Sequence, residues 1–292
     1  MRPVLSRLLE LLQLERIEDR LFRGTSQDLG WGAVFGGQVL GQALSAAVQT
    51  VPPERQVHSM HGYFLRQGDV DRPVVYDVDC TRDGRSFTTR RVVAIQHGRA
   101  IFHCSVSFQV AEEGFSHQAD APDAPDPEGL PDETARWREL EDRLPAQLLA
   151  RATAERPIDI RPVDQVDPLE PGIKPPSRLV WYRVPDTLPD DPRLHQYLLA
   201  YASDFHFLTT AMQPHGVTWL NRKMQVASLD HAMWFHRPVR MDQWLLHEVT
   251  SPNAHGARGL VLGRFYDQQG RLVASTAQEG LMRDRGERRR PV

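Results

Sequence analysis

A chain of 292 residues, 40% hydrophobic and 25% charged, has the composition of a globular protein and is long enough for one large core or two ordinary ones. A formal net charge of −3 lacks the basic excess of a general nucleic-acid binder, so no nucleic-acid partner is expected. No stretch approaches the roughly 20 consecutive apolar residues that cross a bilayer, so no stable membrane insertion is expected and cytoplasmic residence is the default.

The chain opens on MRPVLSRLLELLQLERIEDR, which reads as an amphipathic helix rather than a signal peptide, because Glu10 interrupts the apolar run and no small-residue cleavage site follows. A second helix is predicted in FGGQVLGQALSAAVQT, where Leu40, Ala43, Leu44, Ala47 and Val48 recur at helical spacing. Gly36 and Gly37 at its start admit two compatible readings: close packing of helix on sheet, or a helix N-terminus whose N–H groups approach a ligand oxygen. Strands follow in VHSMHGYFLR, PVVYDVDC, SFTTRRVVAIQ and RAIFHCSVSFQV, with turns at Asp83-Gly84 and His97-Gly98. Cys80 and Cys104 sit in these alternating runs without metal-ligand spacing, and read as small buried hydrophobes.

Fourteen of the 22 prolines then crowd between Pro122 and Pro192, which forbids long helices or central strands there. Only Glu133–Ala154 could form one helix. Beyond the connector a long helix is predicted in HQYLLAYASDFHFLTTAM, then strands in VASLDHAMWFHR, QWLLHEVTS, RGLVLGRFYD and RLVASTAQEGLM. Turns are predicted around Asn253–Gly256 and at Gln269-Gly270, and the closing GERRR run reads as a solvated basic tail. This order repeats the first half at an offset of about 170 residues, placing His61 opposite His231 and Phe64 opposite Trp234. A helix and an antiparallel meander, occurring twice, predict an α+β fold with the sheet wrapped on the helices.

Loud catalytic motifs are missing: there is no GxSxG elbow, Walker loop, HExxH or CxxC pair. Strand periodicity puts His58 and His61 on opposite faces, and His231 and His236 out of phase, so no metal site is expected. His58, opposite Ser228 in the repeat, is kept as a candidate for a polar role. Quieter signals come from breaks in pattern. Phe102, Cys104, Val106, Phe108 and Val110 form an apolar face in the first half; their counterparts are Leu272, Ala274, Thr276, Gln278 and Gly280. A buried amide without partners costs on the order of 1–3 kcal/mol, so Gln278 needs either nearby backbone or functional neighbours. Asp204 lies mid-helix in an apolar and aromatic setting, where a carboxylate must be exposed, paired or hydrogen-bonded. Periodicity gives no reason to single out Ser228.

At these residues the sequence resembles the bacterial acyl-CoA thioesterase II family over nearly its whole length. The first half matches through LFRGTSQDLG, VFGGQVLGQAL, VHSMHGYFLRQGD and RDGRSFTTRRVVAIQ; the second through HQYLLAYASDFHFL, QPHG, LDHAMWFHRP, ARGLV and LVASTAQEG. The resemblance implies two fused hot-dog domains, residues 1–110 and 178–292, joined by the Pro-rich connector 111–177. It implies an acyl-CoA substrate, no cofactor, and association as a homodimer or homotetramer. It also implies one catalytic group: Asp204 of YASD, Ser228 of VASLDH and Gln278 of TAQEG, with Ser at a position where the family often has Thr. The first half has no matching carboxylate or amide and offers Gln38 and Gln42 instead, so one site per chain is expected. The rival reading of acyl-CoA hydration on the same scaffold calls for an Asp/His pair, and an acyl-CoA sensor calls for a DNA-binding segment that is not visible.

Overall fold

The computed structural model describes residues 1–221 and 223–286. All of the GERRR run except Gly286 lies outside them.

The N-terminal helix α1 (Pro3–Leu12) starts with Pro in its first turn, where the missing N–H costs nothing, and buries Val4, Leu5, Leu8, Leu11 and Leu12. Strands β1 (Glu15–Glu18) and β2 (Leu21–Gly24) lead to α2 (Gly36–Val48), which is buried along almost its entire length. The meander of the first half is β3 (Gln56–Phe64), β4 (Val74–Asp83), β5 (Phe87–Gln96) and β6 (Arg99–Gln109). His97 and Gly98 both have positive φ, as a two-residue hairpin turn requires.

The connector holds α3 (Glu133–Arg138), α4 (Ala146–Ala152) and β7 (Asp159–Pro162). The single helix expected over 133–154 is therefore two. Pro145 stands at the start of α4 and forces Leu144 into an extended conformation, which ends any helix arriving from α3.

The second half contains β8 (Ser177–Arg183), α5 (Pro192–Ala202), α6 (Phe207–Met212), β9 (Met224–Ser228), β10 (Asp230–Phe235), β11 (Leu245–His255), β12 (Arg258–Asp267) and β13 (Leu272–Asp284). The long helix expected here is broken at residues 203–206: His206 takes φ +66, and the hydroxyls of Thr209 and Thr210 turn back on its carbonyl. Asp204 thus sits in a break, not in mid-helix. The turn between β11 and β12 is Gly256-Ala257, both at positive φ, two residues later than its expected centre.

All strands join one antiparallel sheet in the order β1-β2-β4-β5-β6-β3-β10-β13-β12-β11-β8-β7, with β9 pairing the far end of β13. The two meanders meet at β3 and β10, where Met60 faces Met233. Helices α2 and α5 pack against each other inside the wrap, and Gly37 and Gly41 permit it. A Cβ on Gly37 would lie 2.2 Å from the Tyr201 carbonyl oxygen, and one on Gly41 would lie 3.1 Å from that of Tyr197. The glycine-rich start thus serves helix-on-helix packing at Gly37 and Gly41, and at Gly36 it lets the Phe64 ring of β3 come close.

The central strands also correct the repeat. On β10 the residues turned to the core are His231, Met233 and Phe235; on β3 they include Met60 and Gly62, while His61 is exposed against Trp234. An inward residue cannot be the counterpart of an outward one, so His61 is not the equivalent of His231. His58 was misplaced too. A bulge between Val57 and Ser59 shifts the alternation, and His58 lies on the outer face, bonded to Ser107 at 2.8 Å and edge-on to Phe87. It shares that face with His61 and takes no part in the site below. Among the described residues no three of His, Cys, Asp and Glu gather as a metal-holding group, and no helix is long and apolar enough to cross a membrane.

Candidate active site

The core face of β13 follows the alternation expected of it: Ala274, Thr276 and Gln278 all turn inward, with Thr276 3% and Gln278 1% exposed. At Gln278 the neighbours are side chains. Its Nε2 donates to Ser228 Oγ at 2.8 Å, and its Oε1 lies 2.6 Å from His231 Nδ1. Ser228 reaches this position because β9 pairs with the end of β13, setting Ser228 opposite Gly280. His231 is fully buried, and its other ring nitrogen lies 3.0 Å from Ser203 Oγ.

Asp204 approaches Gln278 from the α5–α6 break. The residue is only part-buried, yet its Oδ1 is out of reach of solvent and has no hydrogen-bond partner in the protein. Aromatic rings crowd the carboxyl's surroundings: Phe35 stacks on Phe205 at 4.7 Å, Tyr201 meets both edge-on, and the Phe64 ring closes on Gly36. Burial pushes the Asp204 carboxyl up to about 7; the Gln278 side chain and the Gly37 backbone N–H, which favour the ionised form, oppose the shift only in part.

The opposite wall belongs to the first half. The start of α2 has no side-chain cap, and Gly36 is so close to Asp204 that a Cβ there would lie 2.5 Å from Oδ2. The helix N-terminus therefore does face a carboxylate oxygen, one supplied by the protein itself. Beside Phe35, Tyr201 and Phe205 lies a cavity of about 440 Å³, to which the connector contributes Trp137, Ala152 and Ile158.

The structure thus brings together Asp204, Ser228 and Gln278, with Gln278 between the other two. It adds two residues that sequence reasoning missed. Strand phase weighs His231 only against a metal site, although it carries the signal that marks Gln278: a polar side chain alternating with Met233 and Phe235 on a core phase. Ser203 gave no signal, since a serine next to an aspartate late in a helix is unremarkable. His231 does not form an Asp/His pair, because both ring nitrogens are engaged by Gln278 and Ser203. Burial drives the His231 imidazole down to about 4, so it is neutral wherever Asp204 titrates.

A sheet wrapped on paired helices, with a carboxyl near neutrality beside an amide and a hydroxyl, is the arrangement of a hydrolase of the hot-dog class. Family models agree at both ends of the chain: an acyl-CoA thioesterase N-terminal domain matches residues 25–109, and an acyl-CoA thioesterase domain matches residues 149–281. Acyl-CoA thioesterase 2 of Haemophilus influenzae is 45% identical over 283 residues, covering 97% of this chain and 99% of that protein. Human acyl-coenzyme A thioesterase 8 is 42% identical over 94% of this chain and 88% of its own. Among solved structures, an acyl-CoA thioesterase II from Mycobacterium marinum superposes with a TM-score of 0.77 at 46% identity, over 95% of this chain and 98% of that one. The chain belongs to the acyl-CoA thioesterase II family, thioester hydrolases with a double hot-dog fold.

Proposed function

We propose that this chain hydrolyses acyl-CoA to free fatty acid and CoA by direct attack of a water that Asp204, Ser228 and Gln278 orient. The observation carrying this reading is the Asp204 carboxyl: held near 7, its Oδ1 unpartnered, it is matched to accept a proton at neutral pH. A thioester carbonyl is poorly stabilised by resonance, so a well-placed water and a base are enough to attack it. The Gln278 amide donates to Ser228 and faces Asp204, which fixes both groups around one small volume where a water can be held in line. The start of α2, which has no side-chain cap of its own, lies in the wall of that volume, and with the Gly37 N–H given to Asp204, the neighbouring backbone N–H groups there are our candidates for stabilising the developing oxyanion. The cavity beside Phe35, Tyr201 and Phe205 also presents Leu8, Trp137, Ile158 and Ile160, which suit an acyl chain, and the charged Glu133, Arg156 and Arg178 line it too. In this reading residues 1–110 and 178–292 are the two hot-dog units, the connector 111–177 walls the cavity, and each chain has one site.

The test is release of free thiol from palmitoyl-CoA, followed with a thiol reagent. Asp204→Asn keeps the shape of the side chain and removes the base, so turnover should fall on the order of 10²–10⁴-fold. Retention of most of the wild-type rate would show that Asp204 is not the base.

A further inference from the structure

A glutamine amide is almost symmetrical in shape, so a pocket that needs its N–H₂ on one side must enforce that choice with neighbouring donors and acceptors. At Gln278 the choice decides the chemistry. With Nε2 toward Ser228 and Asp204, the amide supports an ionised carboxylate; turned over, it would set a carbonyl oxygen against it.

The residues behind Gln278 admit two self-consistent arrangements. A neutral imidazole has one donor and one acceptor. If His231 carries its proton on Nδ1, it donates to Gln278 Oε1 at 2.6 Å, Nε2 accepts from the Ser203 hydroxyl at 3.0 Å in place of that hydroxyl's bond to the Ala200 carbonyl, and the amide N–H₂ faces the site. If the proton is on Nε2, Ser203 accepts it and sends its own hydrogen to the Ala200 carbonyl at 2.9 Å; Nδ1 then accepts from Gln278, and the amide is reversed. Only the first is compatible with Asp204 acting as a base. We propose that His231, as the Nδ1–H tautomer with Ser203 donating to its Nε2, is a positioning residue that locks the Gln278 amide in the orientation needed for hydrolysis. Burial keeps the ring neutral across the working range, so the lock does not itself titrate there.

This inference rests on the general-base reading of Asp204, and its test separates the two. His231→Phe keeps a ring of similar size and removes the donor; kcat should fall on the order of 10- to 100-fold with KM little changed. The acidic limb of the pH–rate profile should also move upward, because an amide free to turn no longer favours ionised Asp204. In His231→Asn the side-chain N–H₂ can occupy the place of Nδ1–H, and both kcat and the limb should return most of the way to wild type. Loss of kcat with an unmoved limb and no rescue by asparagine would make His231 a packing residue and overturn the proposal. If His231→Phe does not fold, a long-range ¹⁵N–¹H correlation spectrum of the wild-type imidazoles decides: Nδ1–H supports the lock and Nε2–H overturns it. Failure of the underlying reading appears elsewhere, as an Asp204→Asn enzyme that keeps its rate. An inactive Asp204→Asn enzyme beside an unimpaired His231→Phe enzyme would defeat the positioning inference alone.

Discussion

The two halves of this molecule bury glutamines in different company. In the first half Gln42 Nε2 donates to the carbonyls of Leu11 at 2.7 Å and Thr25 at 2.9 Å, while its Oε1 accepts from Tyr76 at 2.7 Å. Gln38 likewise spends its amide on the Thr25 carbonyl and the Gln27 N–H. These bonds tie α1 and the chain after β2 to α2, leaving little capacity for a ligand. In the second half Gln278 is as deeply buried, but it bonds to Ser228 and His231 and faces Asp204, all side chains. An amide whose N–H groups are spent on backbone carbonyls is a fastener. One saturated by side chains orients groups that remain free to act.

The sharpest way to break this contrast is to remove each amide in turn. Gln278→Ala should lower turnover on the order of 100-fold, since it unsets both Ser228 and Asp204. Gln42→Ala should leave kcat within a few-fold while costing on the order of 2–3 kcal/mol in chemical denaturation, because Tyr76 and the Leu11 carbonyl lose a buried partner. Comparable losses of turnover from the two variants would mean that the halves are functionally alike. Placing an amide in the apolar face of the first half by Phe108→Gln should destabilise on the order of 1–3 kcal/mol and add no activity.

Acidity offers a gentler probe. Turnover should rise through a pH of about 7 as Asp204 ionises, then level off. Stability should respond with the opposite sign. A buried carboxyl whose folded value lies above its unfolded one binds its proton more readily when folded, so its contribution to stability falls as pH rises from about 4 through about 7. Asp204→Asn should remove that part of the slope in denaturation curves taken across this range. The smallest effect belongs to Ser228→Thr, which keeps the hydroxyl that Gln278 addresses and should change kcat by no more than a few-fold.

Much of this was legible in the chain. The alternation along residues 272–280 put Thr276 and Gln278 on a core phase, and the structure buries both. Apolar spacing located α1 and α2, and glycine placed the hairpin turns. What escaped was decided by tertiary context. The α5–α6 break hides inside a sequence with helical periodicity, because nothing in that pattern announces the positive φ of His206. The bulge at His58 inverts the face expected from strict alternation, and the β3–β10 pairing fixes the phase of His231 in a way that no offset of about 170 residues could. Ser228 was found only through family resemblance, since its partner stands on another strand.

The seam at β3 and β10 also bears on how the protein is made. Met60 and Met233 are separated by about 170 residues of chain, so at ribosomal speeds the first meander waits many seconds with β3 unpaired on one side. Such an open edge is a template for any strand that passes, including the same edge of a second nascent chain. Since β10 is the strand that closes it, late arrival of the second half makes exchange of halves between chains the characteristic error of synthesis.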